Sequence, residues 1–302
     1  VSTPTTVEER TDMPGRPAAP GAGRRPVRPR RRRRRGYDLL ALVLAAVWTF
    51  PVYWMINSSF LPINRIRGET PTFVPVGGTL SAYARVFDSD FLSTLRISLA
   101  VTLLTVGAAL LFAFLAALAL SRFRFRGRKS FVLAVLIVQM IPAEGLFISQ
   151  FKLLEGWQLL NSVAGLSLLY VAAVVPFTIW MLRGFVNGVP RELEEAALVD
   201  GCSPAQAFFR ITLPLLAPGL VASGVYAFLQ AWNEFTLALV IMTRPEQMTL
   251  PLWLRTFTEA NRASDWAGIM AGSVLIAVPV MIFFLFVQHR MTSGLVSGAV
   301  KG

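Results

Sequence analysis

One cysteine and one histidine are all the chain holds of the two side chains that most often bind metals or act as nucleophile and base. Cys202 has no partner in the chain, which excludes an internal disulfide and a cysteine zinc site. His289 stands alone near the end of the sequence, so neither a histidine-based metal cluster nor a catalytic triad can be assembled. Charge is scarce as well, at 15% of residues. No G-x-x-x-x-G-K followed by Ser or Thr occurs, so the chain has no phosphate-binding loop of its own. If ATP drives this protein, another subunit binds it.

Apolar sequence fills the space those absences leave. Hydrophobic residues make up 54% of the chain and the mean hydropathy is +0.57, which places it among membrane proteins by composition. Six apolar runs are each near the ~20 residues that a helix needs to cross a bilayer. They fall at about 39–58, 95–120, 131–151, 163–185, 213–242 and 267–288, so the expected fold is all-α with six transmembrane helices. Pro51, Pro142, Pro176, Pro218 and Pro279 lie inside these runs. Membrane helices accept such prolines where neighbours re-satisfy the freed carbonyls, and a bundle that must bend can use the kinks.

The basic excess is uneven. Of the net +12, residues 1–36 supply most, with eleven arginines against Glu8, Glu9 and Asp12. This leader is rich in Pro, Gly, Arg and Thr and is expected to be disordered. Its arginine run at 30–35 directly precedes an apolar span. That favours a lipid-facing cluster holding the N-terminus inside over nucleic-acid binding or a localisation signal. No cleavable signal peptide is expected, because the run that follows is too long and lacks a small-residue cleavage site. The loop after the second span holds Arg122, Arg124, Arg126, Arg128 and Lys129 with no acid, which marks it as cytoplasmic. The loops at 60–93 and 244–265 balance arginine against acid, as outer loops do. Six spans with both termini in the cytoplasm satisfy this asymmetry.

One polar stretch interrupts the apolar pattern: residues 191–214, RELEEAALVDGCSPAQAFFRITLP. It reads as two short helices with a turn between them. Pro190 suits a first helical position, and Glu192, Glu194 and Glu195 suit the positive end of the helix dipole. Gly201 tolerates the left-handed backbone of a tight cap. Ser203, Pro204 and Gln206 spell a capping box that restarts the helix. An ordinary amphipathic loop is the plain alternative. A DNA-reading helix-turn-helix is permitted by the turn but fails on charge. Arg191 and Arg210 are outnumbered by Glu192, Glu194, Glu195 and Asp200, and an acidic face meets phosphate poorly.

The same stretch resembles the signature of the membrane subunits of bacterial ATP-binding-cassette importers: E-A-A, three residues, G, nine residues, I-x-L-P. Glu195, Ala196, Ala197, Gly201, Ile211, Leu213 and Pro214 occupy all seven fixed positions at both spacings, and Asp200 precedes the glycine. The resemblance implies a coupling loop, about 190–210, that docks into a cytoplasmic ATPase and carries its closing motion into the membrane. The tail at 288–302 is a frayed terminus on composition. It is similar, however, to the end of the maltose-type carbohydrate permeases, through Gly294, Leu295, Gly298, Val300, Lys301 and Gly302. There the tail, about 291–302 here, reaches along the ATPase dimer. The segment Ala231, Trp232, Asn233, Glu234, Phe235 also looks like that family. The resemblance runs from about residue 37 to the end, leaving a permease region of about 37–290 between leader and tail.

Polar residues within spans are candidates for a solute path. Gln139 and Glu144 in the third span, and Gln230, Trp232, Asn233 and Glu234 in the fifth, lie at membrane depth or near its outer boundary. Such groups usually face a bundle interior or a watery path, while hydrogen bonding between helices is the competing role. Trp232 could stack on a sugar, though tryptophan at a membrane interface is ordinary.

The reading is therefore a non-enzymatic permease subunit in the bacterial plasma (inner) membrane, moving a sugar or oligosaccharide by alternating access. The resemblance implies a second permease subunit as heterodimeric partner, a cytoplasmic ATPase homodimer holding ATP and Mg, and an extracytoplasmic solute-binding protein. Membrane lipid surrounds it; nucleic acid and bound metal are not expected. A non-sugar solute is the near alternative. An ion-coupled secondary transporter is the distant one, opposed by the lack of any internal repeat of the 191–214 pattern. A non-transporting scaffold is disfavoured by the intramembrane polar residues.

Overall fold

Apolar runs this long leave the backbone few options, since every peptide group in hydrocarbon must be paired within its own segment. In a computed structural model of the protein, the backbone is described for residues 31–68, 70–258 and 264–299, and the side chains for 37–68, 70–258 and 264–288. Every regular element among the described residues is a helix. Helix α1 covers Arg31–Phe60 and the single turn α2 Ile63–Ile66. α3 (Ser81–Asp88) leads into the long α4 (Phe91–Arg122). α5 (Arg128–Val138) and α6 (Phe147–Gly156) flank a 3-10 turn at Ala143–Leu146. α7 (Val163–Gly188) precedes the short α8 (Arg191–Val199) and α9 (Pro204–Ala207). A π-helical turn, Phe208–Thr212, joins α9 to α10 (Leu213–Asn233). α11 (Thr236–Ile241), α12 (Leu250–Leu254) and α13 (Trp266–Ala299) complete the chain.

Two compact units divide the chain, Val1–Thr49 and Phe50–Gly302. In the first, the described stretch is the opening of α1. This helix begins at Arg31, inside the leader expected to be disordered, while residues 1–30 lie outside the described ones. Leu39, Leu42, Val47 and Trp48 are all exposed, the pattern of a helix whose surroundings are hydrocarbon rather than protein.

The second unit is built on α4, α7 and α10, which pack against one another. Small buried residues recur every fourth position of α4, at Thr105, Ala109, Ala113 and Ala117. α7 answers with Tyr170, Val174, Thr178, Leu182 and Val186 at the same interval. Residues four apart share a helix face, and small side chains there let backbones approach closely without a large hydrophobic driving force. Gly219 of α10 shows how close: a Cβ there would stand 2.4 Å from Cγ of Phe185.

Among the described residues, five helices are long and apolar enough to cross a membrane, and the α5–α6 pair passes the same test as one bent span. The third span is thus not the single straight helix expected at 131–151. Its halves meet at 89°, with the break at residues 139–142. Pro142 explains the site of the break, because proline lacks an N–H and drives the preceding residue out of helical geometry. The fifth span also differs. α10 stops at Asn233 and Glu234 is extended (φ −70°, ψ 126°), so the run expected to reach 242 is finished by the separate α11. The sixth span starts at Trp266, and its helix continues through the tail to Ala299.

At the end of this unit away from the 191–214 stretch, polar bonds tie the short helices down. Arg85 forks onto both oxygens of Asp265 at 2.9 and 3.1 Å, and Arg67 donates to the Ser264 carbonyl at 2.7 Å. Asp265 in turn accepts the N–H of Gly268 in the first turn of α13. The indole of buried Trp253 donates to the Ser89 carbonyl, and the N–H of Leu250 to Ser98.

Candidate coupling site

The polar stretch folds much as its local chemistry dictates. Pro190 is extended (φ −60°, ψ 137°) and stands at the N-cap, one residue before the helix rather than at its first position. Glu192 and Glu194 occupy the first turn, where the dipole favours them. Gly201 closes α8 with φ +87°, the left-handed region. Its N–H reaches the Leu198 carbonyl at 3.1 Å and that of Cys202 reaches Ala197 at 2.9 Å, the bond pair of a Schellman cap. Nothing lies within 4 Å of a Cβ built on Gly201, so the backbone angle rather than space demands glycine here. The capping box is present too: Ser203 accepts the N–H of Gln206, whose side chain accepts that of Ser203 at 2.9 Å.

The second helix is not a separate piece, however. α9 runs through the π turn into α10, so it forms the entry of the fifth span. The Leu213 N–H reaches back five residues to the Phe208 carbonyl. Pro214 follows and has no N–H to offer, so the widened turn sits where one α-helical bond is missing in any case.

Arg191 and Glu194, one turn apart on α8, face inward. Arg191 donates to the carbonyls of Ser121 and Arg122 at 3.0 and 3.1 Å, capping the carbonyl end of α4. One oxygen of Glu194 takes the hydroxyl of Thr212 at 2.6 Å and lies 2.8 Å from the Arg122 guanidinium. This carboxylate joins three elements: the foot of α4, helix α8 and the π turn that starts α10. The groups are sheltered, with side-chain exposures of 16% for Arg122 and 29% for Glu194. Sequence reasoning did not single out Arg122, Arg191, Glu194 or Thr212 for this role. Their only signal was a second acid immediately before E-A-A.

The signature residues divide between the two faces. Ala197 is buried at 4% exposure, whereas Glu195, Ala196 and Asp200 are exposed. Glu195 takes no part in either ion pair among the described residues. Exposed Leu198, Val199 and Phe209 add apolar surface, Val199 reaching 86% exposure. Ile211 and Leu213 are half-buried and Pro214 is exposed. Beside this platform a cavity of about 900 Å³ opens between α7, α8 and α10, with Arg183, Asn187, Leu193 and Pro218 on its walls.

The solute-path candidates separate in the same way. Gln139 sits at the α5 break, its amide 3.4 Å from the Ala173 carbonyl, and Glu144 is exposed in the 3-10 turn. Gln230 and Asn233 are exposed on α10 and, among the described residues, bonded to Tyr226 and the Leu229 carbonyl of their own helix. Trp232 is 2% exposed and stacks on Phe228 with ring centroids 5.6 Å apart, so it belongs to the apolar core. Glu234 is spoken for by three donors: the Tyr170 hydroxyl at 2.6 Å and the N–H groups of Leu237 and Ala238 at 2.6 and 3.0 Å. It caps α11 and ties it to α7. In the tail, Gly294, Leu295 and Gly298 lie on the backbone of α13, and Lys301 lies outside the described residues.

A bundle of membrane-crossing helices with a polar two-helix platform between its fourth and fifth spans defines a multi-pass transport subunit. Residues 109–295 match the binding-protein-dependent transport system inner membrane component family, and the chain belongs to that family. It is 42% identical over 266 residues to the diacetylchitobiose uptake system permease protein DasC of Streptomyces coelicolor, covering 88% of this chain and 96% of that one. The trehalose transport system permease protein SugB of Mycobacterium tuberculosis is 32% identical, over 90% of this chain and 99% of its own length. The trehalose/maltose transport system permease protein MalG of Thermococcus litoralis is 34% identical, with 87% and 95% covered. Among solved structures, a bacterial ABC transporter involved in alginate import has the same fold, with a TM-score of 0.73 at 24% identity, covering 88% of this chain and 99% of that one.

Proposed function

We propose that this chain is one of two permease subunits of an ATP-driven importer that carries a sugar or oligosaccharide across the bacterial inner membrane. The coupling platform is the observation that carries the reading. Its inner face is fastened to α4 and α10 through Arg191 and Glu194, while Glu195 and Val199 are exposed with no ion-pair or ring partner among the described residues, and Phe209, edge-on to Phe208, is 64% exposed. A cytoplasmic ATPase dimer, holding ATP and Mg, would grip that outer face. Its closure would move α8 and, through the shared carboxylate, the two spans behind it. The bundle would then open toward an extracytoplasmic binding protein, with both termini of this chain on the cytoplasmic side. No bond in the solute changes, so the work of the chain is conformational.

The saccharide assignment rests on relatives named for diacetylchitobiose, trehalose and maltose. Membership of the family weighs against an ion-coupled secondary transporter. The test is reconstitution of the chain with its partner permease, ATPase and binding protein in proteoliposomes, offering a panel of labelled disaccharides. Uptake should require ATP and the binding protein. Uptake driven by an ion gradient without ATP would sink the importer reading, and ATP-driven uptake of amino acids but no saccharide would sink the sugar.

A further inference from the structure

The loop joining α4 to α5, taken with the helix ends on either side, is used by none of the machinery above apart from Arg122. It carries Phe123, Arg124, Phe125, Arg126, Gly127, Arg128 and Lys129 in unbroken succession. Arg124, Arg126, Arg128 and Lys129 take no part in either ion pair among the described residues. No acidic residue occurs between Asp90 and Glu144 in the sequence. Four cations therefore stand together with no ion-pair partner among the described residues, at the foot of two membrane helices.

Two further features give this charge a shape. Phe123 and Phe125 are 66% and 48% exposed, large apolar rings held out of the protein between the arginines. The backbone at Phe123 is extended (φ −105°, ψ 147°), which sends successive side chains to opposite sides. Gly127 then turns the chain with φ +88° into the first turn of α5. The turn borders an open hollow of about 460 Å³ lined by Arg124, Phe125, Gly127, Arg128, Lys129 and Ser130.

We propose that this loop is a binding site for the phosphate of an anionic membrane phospholipid. The guanidinium forks of Arg124 and Arg128, with the Lys129 ammonium, hold the phosphate in the hollow. Phe123 and Phe125 lie at the boundary between headgroups and acyl chains, the placement of apolar residues in interfacial segments whose other face is basic. Clusters of this size beside a spanning helix are attracted to anionic lipid. The aromatic pair favours a lipid over a soluble phosphate compound, which would have no use for exposed rings. Arg122, the last residue of α4 and next to the loop, is held by Glu194, so a bound lipid would steady one anchor of the coupling platform.

Native mass spectrometry of the complex assembled from this chain, its partner permease and the ATPase, titrated with phosphatidylglycerol or phosphatidylcholine, tests the site. Phosphatidylglycerol should remain bound and phosphatidylcholine should not. The variant Arg124→Gln/Arg126→Gln/Arg128→Gln/Lys129→Gln should bind phosphatidylglycerol more weakly by about fivefold for each cation removed. Its arginine-to-lysine counterpart, which preserves the charge but not the forks, should bind at a strength between wild type and the glutamine variant. The pairs Arg124→Gln/Arg126→Gln and Arg128→Gln/Lys129→Gln carry the same test in milder form. Equal retention of the two lipids, or of phosphatidylglycerol by wild type and the charge-neutral variants, overturns the proposal. So does displacement of the lipid by millimolar inorganic phosphate, which would make this a site for a free anion. Loss of the ATPase subunit from the neutral variants with lipid retained would make the loop a protein-docking surface instead.

Discussion

The hydroxyl of Thr212 donates to Glu194 at 2.6 Å, on the same carboxylate oxygen that lies 2.8 Å from the Arg122 guanidinium. Thr212 occupies the variable position of the I-x-L-P end of the signature, and Glu194 the position just before E-A-A. The two ends of the coupling loop are thereby bonded directly to each other and to α4. Through this one group α8 is tied to two spans.

Glu194→Ala should therefore do two separable things. Removing a sheltered, charge-assisted acceptor costs about 1–3 kcal/mol of stability. It should also lower solute moved per ATP hydrolysed while ATPase binding persists, because exposed Glu195 and Val199 are untouched. Thr212→Val keeps the shape and removes one bond, a loss of about 1 kcal/mol. Thermal unfolding and the uptake-to-hydrolysis ratio of the reconstituted complex are the readouts. A normal ratio in Glu194→Ala would reduce the contact to a structural tie.

Gly201 is constrained by its backbone and not by its neighbours. Valine there meets left-handed strain of about 1–2 kcal/mol and should swing α9 relative to α8. Asparagine, which tolerates that region, should be milder. The matched control is Ala205→Val, on an exposed helical position. Ala207, with ordinary helical geometry by sequence, is 2% exposed, so added bulk there overpacks the core and confounds the comparison. Stimulated ATPase activity and uptake should fall in Gly201→Val and hold in Ala205→Val. Equal behaviour of the two would remove the glycine from the transmission path.

Within the fifth span, Glu234 and Asn233 should separate packing from passage. Glu234→Ala leaves the Tyr170 hydroxyl and two backbone N–H groups without their acceptor, at about 1–3 kcal/mol. Asn233→Ala breaks only a bond within its own helix and should leave stability unchanged. If Asn233 lines the solute path, its loss lowers uptake at limiting solute with assembly intact. Unaltered uptake would return it to packing.

Asp265 supplies a pH signature at the other end of the unit. Burial acts to raise its pKa, but the hydrogen bonds from Arg85 and the Gly268 N–H, with the charges of Arg85 and Arg67, outweigh that and hold it below the usual value. A carboxyl depressed in the folded state contributes stability that is complete above the unfolded value of about 3.9. That contribution is lost as pH falls through the lower folded value. Asp265→Asn should thus be less stable than wild type near neutrality, with the gap closing below about pH 4. A gap that is constant with pH would assign the loss to packing instead.

What the sequence by itself determined is local. Apolar runs long enough for a bilayer set the spanning helices, since hydrocarbon offers the backbone no other partner. The Gly201 cap and the box of Ser203 and Gln206 were legible because each is closed within a few residues, by a backbone angle or a short bond. The seven-position signature falls on the same stretch by the same kind of local spacing. Tertiary structure decided everything that depends on distant neighbours. Pro142 announced a kink but not the 89° between α5 and α6, because that angle depends on where the neighbouring helices let the two halves pack. Trp232 and Asn233 are adjacent in sequence, yet the rotation of α10 against its neighbours buries the first and exposes the second. Glu194 and Glu195 are adjacent acids, and the signature names the second without showing what holds the first. Arg122, brought from the far end of α4, takes one of them inside and leaves the other for a partner, because a carboxylate is sheltered where a distant cation and hydroxyl meet it.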